Sequence, residues 1–208
     1  MTAARALEAL RPYLLPLLVL MLTWAVIASV TPSFRGAASA YSVLEGFALA
    51  GLVALGLAAT IIAGELDLSV GSMAALAAIV MVLCEDAGLV GAIAIATAAG
   101  VAFGALQGWL IGRLGINSLV FTIGTLILLR GITYMAAGHE PIMIERFEIT
   151  DPMLDRYWVF SWSSITALAT FGLAALFLGY TRWGREIYAI GGARAEAVSA
   201  GVPRVRPI

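Results

Sequence analysis

The chain has 208 residues, 62% of them hydrophobic and only 12% charged, with a mean hydropathy of +0.99. A soluble domain carries roughly 25% charged residues, so this composition excludes an ordinary soluble protein and indicates an integral membrane protein. A formal net charge of -1 without a basic patch excludes nucleic acid as a partner, and the single cysteine, Cys84, excludes an internal disulfide.

In chain order, six apolar runs have the length that crosses a bilayer, about 20 residues. They cover roughly 13–31, 43–63, 67–84, 89–112, 118–137 and 158–181. The first is longer than a signal-peptide core and no small-residue cleavage pattern follows it, so it reads as a retained helix. Thr31-Pro32, Glu85 to Gly88, Arg113 to Asn117 and a polar segment over 138–157 separate the runs. No strand-like alternation is evident, and backbone polar groups cannot stay unpaired in lipid. The expected fold is therefore all-α, one polytopic transmembrane helix bundle over 1–208.

The chain has no lysine, so arginines set the orientation. With the N-terminus inside, Arg5, Arg11, Arg113, Arg182, Arg185, Arg194, Arg204 and Arg206 lie on the inner side. Arg35, Arg146 and Arg156 then lie outside and Arg130 within a run, which favours an inside N-terminus and C-terminal tail. The outer 138–157 segment carries Glu140, Glu145, Glu148, Asp151 and Asp155, and reads either as a solvated loop or as a surface that receives a partner.

Between the second and third runs stands Gly64-Glu65-Leu66-Asp67-Leu68-Ser69-Val70-Gly71. A charge at mid-membrane costs roughly 2.5–3.5 kcal/mol on insertion scales, so Glu65 and Asp67 mark either a functional site or a plain loop. No nucleophile, metal set or cofactor motif joins them. Asp67 is expected to cap a helix beginning near Ser69, with Gly64 and Gly71 permitting a break and Glu65 left towards the inner water.

In the fourth run Gly100, Gly104, Gly108 and Gly112 recur every fourth residue, extended by Ala92 and Ala96. Each step of four advances about 40° around a helix, giving a slowly winding ridge of small residues. It packs another helix of the same subunit or makes a dimer contact. Gln107 and Trp109 flank it, with no chemistry assigned. Arg130, about 18 Å along the fifth run, is placed either to snorkel outward or to pair with Glu45, Glu85 or Asp86. His139 with Glu140 and Glu145 has no metal-ligand spacing, so no metal site and no catalytic residue are expected. A phosphate-binding loop lacks its lysine, so no cofactor is expected on this chain and any ATP-Mg belongs to a partner.

Three blocks carry a family resemblance. The first is Gly64 to Ser72. The second runs from Phe121-Thr122-Ile123-Gly124-Thr125 through Leu129-Arg130-Gly131 to Pro141-Ile142. The third is Thr181-Arg182-Trp183-Gly184-Arg185 with Tyr188 to Gly192, Glu196-Ala197 and Ser199-Ala200-Gly201. In this order and spacing, over about 60–203, they resemble the permease subunits of ribose-type (ribose, xylose, galactoside) monosaccharide ABC importers of the bacterial inner membrane. Glu65 and Asn117-Ser118-Leu119 depart from the family pattern. The resemblance implies a longer permease, so the chain is expected to be a truncated or partial one.

The resemblance implies a non-enzymatic transport subunit. Its implied partners are a cytoplasmic ABC ATPase, a periplasmic sugar-binding protein, a second permease copy and the lipid bilayer. It implies that 182–203 is the segment that couples to the ATPase, through Arg182, Arg185, Gly191, Gly192, Glu196, Ala197 and Gly201. On physical grounds Arg182 and Arg185 suit the inner surface, Gly191-Gly192 is expected to break the helix, and Ala195 to Ala200 to form a short one. Ser69, Ser72, Asn117, Thr122 and Thr125, polar beside helix breaks, are the expected lining of a path for a neutral sugar. Two alternatives stand: a permease for another small solute, such as an amino acid or autoinducer, or a membrane-embedded enzyme or scaffold.

Overall fold

A computed structural model describes residues 3–143 and 155–202. Glu145, Arg146, Glu148, Asp151, Arg204 and Arg206 lie outside the described residues, as do the side chains of Arg5 and Arg11. Helix α1 (Ala3–Val30) ends at Thr31-Pro32 in a 3-10 turn over Pro32–Arg35. There Arg35 Nε donates to Ala28 O at 2.7 Å, satisfying one of the carbonyls a helix end leaves open. Then follow α2 (Ala37–Ile62), α3 (Val70–Leu83), α4 (Gly88–Leu114) and α5 (Ser118–Ala136). A small hairpin, β1 (Arg156–Tyr157) and β2 (Phe160–Ser161), leads into α6 (Trp162–Tyr180), α7 (Arg182–Gly192) and α8 (Arg194–Ser199).

The molecule is a polytopic membrane helical bundle. Among the described residues four helical stretches are long and apolar enough to cross a bilayer: Ala37–Ile62, Glu85–Leu114, Ser118–Ala136 and Trp162–Tyr180. Two further apolar stretches, Leu14–Val30 and Val70–Leu83, are shorter. Its packing is that of a membrane protein. The buried positions are mostly small, including Ala48, Ala63, Ala92, Ala96 and Ala167, while Leu, Ile and Val dominate the exposed surface. Lipid solvates those side chains as well as a core does, so close helix approach selects small residues instead. Helix α3 lies between α4 and α5, and α2 runs against α6, where the Phe47 and Phe171 rings meet at 5.2 Å across Gly51.

Two local expectations are corrected ahead of α6, with the all-α class unchanged. A strand pair does occur: Arg156 opposes Ser161 and Tyr157 opposes Phe160, across a turn in which Trp158 adopts φ 60°. The last long helix accordingly starts at Trp162, not near 158, because Ser161 and Ser164 form a reciprocal cap. Ser164 N–H donates to Ser161 Oγ at 3.0 Å and Ser161 N–H to Ser164 Oγ at 2.9 Å. Ser161 Oγ also donates to Glu45 of α2, joining the two helices. Ser161→Ala is expected to cost about 1–2 kcal/mol and lower the unfolding midpoint in detergent by a few degrees. Thr170→Ala, whose hydroxyl only returns to Thr166 O in its own helix, is expected to leave it in place. Equal midpoints for the two variants refute this cap.

The ridge on α4 is used in part. Ala92, Ala96, Gly108 and Gly112 are buried, whereas a Cβ at Gly100 or Gly104 meets nothing within 4 Å.

Candidate functional site

The third apolar run is only partly helical. Helix α3 spans about 21 Å at 1.5 Å per residue, short of a hydrocarbon core of roughly 30 Å. It starts at Val70 rather than at 67, and the chain reaches it through non-helical backbone over 65–69.

The break begins with a Schellman closure of α2. Gly64 adopts φ +79°, its N–H donates to Ile61 O at 2.9 Å, and Glu65 N–H donates to Thr60 O at 3.0 Å. Only at Gly64 does the break require glycine's freedom. Gly71, expected to share that role, lies inside α3 with nothing within 4 Å of a Cβ.

Beyond Gly64 the backbone has no helical partners, and in a membrane its N–H and C=O groups must be satisfied by protein. Helix α5 does this with two side chains one turn apart. Leu66 N–H donates to Ser118 Oγ at 3.2 Å and Leu68 N–H to Thr122 Oγ1 at 3.2 Å, while Thr122 Oγ1 donates back to Leu66 O at 3.2 Å. Helix α4 secures the acid. Asp67 Oδ1 accepts from Ser69 N–H at 2.8 Å and Ser69 Oγ at 2.6 Å, and Oδ2 accepts from Gln107 Nε2 at 3.0 Å. Asp67 thus fixes the approach to α3 without capping it, contrary to expectation: Ser69 is the N-cap residue, no side chain caps the helix, and Gln107 holds the acid from α4. Gln107 is buried and is the chain's only glutamine. A lone amide in an apolar helix was a readable signal, because intramembrane polar groups seek partners.

The other acid of the break leads elsewhere. Glu65 forms an ion pair with Arg194 at the start of α8. Beside it α7 crosses the end of α2 so closely that a Cβ on Gly191 runs into the Ile62 carbonyl oxygen. The two contacts join the helix break to the segment that follows α6. A cavity of about 480 Å³ opens there, lined by Glu65, Ile111, Ile116, Asn117, Ser118 and Arg194 among others.

Comparison with known proteins identifies the family of the chain. Residues 39–206 match the family described as the permease component of branched-chain amino acid transport systems. The chain belongs to that family. The chain is similar to the inner membrane ABC transporter permease protein YjfF of Escherichia coli K12, at 29% identity over 184 residues, 82% of this chain and 54% of the relative. It is similar to the ribose import permease protein RbsC of the same strain, at 29% identity over 200 residues, 89% of this chain and 60% of the relative. The L-arabinose ABC transporter permease protein AraH of Azospirillum brasilense is 28% identical over 194 residues, 91% of this chain and 56% of the relative. The chain thus spans a little over half the length of these curated relatives. No solved structure matches it.

The remaining site residues of the permease divide by accessibility. Ser69, Thr122 and Thr125 are buried and hydrogen-bonded within the protein, Thr125 Oγ1 to Thr122 O at 3.1 Å. Ser72 is half-buried on the first turn of α3. Asn117 is exposed and caps α5, its Oδ1 accepting from Val120 N–H at 3.3 Å. Arg130 is exposed and, among the described residues, belongs to no ion pair; of its three expected partners, Glu45 accepts from Ser161 instead. No cluster of metal-ligating side chains occurs among the described residues.

In the segment after α6, Thr181 caps α7 by accepting from Gly184 N–H at 3.0 Å. Arg182 pairs with buried Glu186 at 2.9 Å, and Arg185 lies exposed. Gly191 and Gly192 do not break the helix, contrary to expectation. Both are helical, and the break falls at Ala193, at φ −154° and ψ 85°. The reason for a glycine at 191 is the approach to Ile62, not flexibility. Glu196 stands exposed in the first turn of α8 and Ala197 is buried, while Gly201 follows at φ +92°.

Proposed function

We propose that the protein is a permease subunit of an ABC importer of the bacterial inner membrane, forming part of the path by which a monosaccharide enters the cell. The supporting observation is the break at 64–69: non-helical backbone between the apolar helices α2 and α3, held by side chains of α5 and tied to the segment after α6 through Glu65–Arg194 and Gly191–Ile62. Irregular backbone between apolar helices is characteristic of transport paths, where a discontinuous helix changes what faces the solute. Relatives whose names specify ribose, L-arabinose and fructose import point to a sugar. The site favours a neutral solute over an amino acid, since Asp67 is occupied by Ser69 and Gln107 and Glu65 by Arg194. Ser72 and Asn117 remain the polar side chains at the break and its cavity for solute contact.

The N-terminus lies in the cytoplasm, by the arginine distribution, which puts α7 and α8 on the cytoplasmic side. There Arg182, Arg185, Gly191, Gly192, Glu196, Ala197 and Gly201 belong to a segment that docks on a separate ATPase. That partner binds ATP-Mg and does the hydrolysis. A periplasmic binding protein delivers the sugar, and a second permease copy completes the path.

The test is co-purification and uptake with the full-length permease expressed beside its neighbouring genes. An ATPase is expected to co-purify, and ATP-dependent uptake of radiolabelled ribose or arabinose, but not leucine, is expected in vesicles. Leucine uptake moves the reading to an amino-acid importer; absence of any bound ATPase removes the importer reading altogether.

A further inference from the structure

We propose that Glu65 and Arg194 form a latch that closes the inner cavity of the permease and opens when the segment containing α7 and α8 moves. The proposal rests on the importer reading for what moves that segment, but its geometry stands independently. Of the residues lining the cavity, Arg194 is the sole contribution from beyond α6; the rest come from the break, the end of α4 and the start of α5. Its side chain therefore reaches across from a separate element to close that side of the cavity.

The two ends of the pair are held to different extents, as a latch requires. Glu65 has a side-chain exposure of 14%, Arg194 of 39%. Glu65 is anchored: its own N–H closes α2, and the next residues are bound to Ser118, Thr122 and Gln107. Arg194 is carried on a six-residue helix joined to α7 through the non-helical Ala193. Rigid displacement of α7 and α8 must separate Gly191 from Ile62, and the same displacement draws Arg194 away from Glu65. A half-exposed pair is weak enough to open and close repeatedly, worth on the order of 1 kcal/mol or a factor of about five. The acid that departs from the family pattern at 65 thereby acquires a role, with its partner 129 positions away.

The test places a reporter in the cavity of the full-length permease, with Cys84 and any cysteine elsewhere replaced by serine. Ile116→Cys lines the cavity without joining the hydrogen-bonded break. In inside-out vesicles its labelling by a membrane-impermeant maleimide reads how open the cavity is. Glu65→Gln and Arg194→Gln are each expected to speed labelling about fivefold, and Arg194→Lys to stay near the parent rate. The exchanged pair, Glu65→Arg with Arg194→Glu, is expected to return it towards the parent. Parent rates in both single variants, or an exchanged pair as fast as the singles, overturn the latch. Should Glu65→Gln fail to fold, the two Arg194 variants decide, since they act at the more exposed end. Labelling needs no ATPase, so failure of an ATPase to co-purify removes the importer reading while the latch is judged on these rates.

Discussion

Gly191→Ala is expected to lower the unfolding midpoint of the detergent-solubilised permease by several degrees, while Gly192→Ala leaves it unchanged or raises it. Both glycines are helical and neither has a positive φ, so alanine's better helix propensity favours each substitution by about 0.5–1 kcal/mol. The neighbours decide the difference. A Cβ at 192 meets nothing within 4 Å, whereas at 191 it collides with the Ile62 carbonyl oxygen and lies 3.1 Å from the Ala63 carbonyl carbon. Those are backbone atoms at the closed end of α2 and cannot rotate away as a side chain would. Overpacking of this kind costs about 1–3 kcal/mol, which outweighs the propensity gain. Gly191→Val should also loosen α7 from α2, read as faster proteolysis after Arg185 or Arg194. Identical behaviour of the alanine variants at 191 and 192 rules out the close approach.

Thr122→Val is expected to be the most damaging substitution of similar volume in the molecule, lowering the midpoint by roughly 5–10 °C, with Thr122→Ser restoring most of the loss. An ordinary hydrogen bond between membrane helices is worth only about 0.6 kcal/mol, because its groups find other partners. Thr122 is different because its hydroxyl, fully buried, satisfies Leu68 N–H and Leu66 C=O in backbone that has no helical alternative. Stranding such groups costs about 1–3 kcal/mol each. Thr133→Val, whose hydroxyl only returns to Leu129 O within α5, is the matched control and should shift the midpoint little. A Thr122→Val protein as stable as the control disproves the stitching of the break by α5.

What could be read from the residues alone was whatever depends on composition and local spacing. Long apolar runs identify membrane helices because no other structure satisfies backbone in lipid, and the two acids between glycines mark an interruption because charge there is costly. Polar punctuation locates the ends of α4 and α5 to within two residues. Less of the site was legible. Ser69, Thr122 and Thr125 were expected to line a solute path because they are polar; all three are buried, and Thr122 satisfies the backbone of the break, a use that depends on what packs opposite. Gln107, Ser118 and Arg194 gained their partners at separations of 40, 52 and 129 residues, distances over which sequence periodicity carries no information. The same limit explains Gly191. A glycine in a helix reads as a breaker by propensity, but here it answers to a carbonyl oxygen on another helix, and only the packing of α7 across α2 brings the two together.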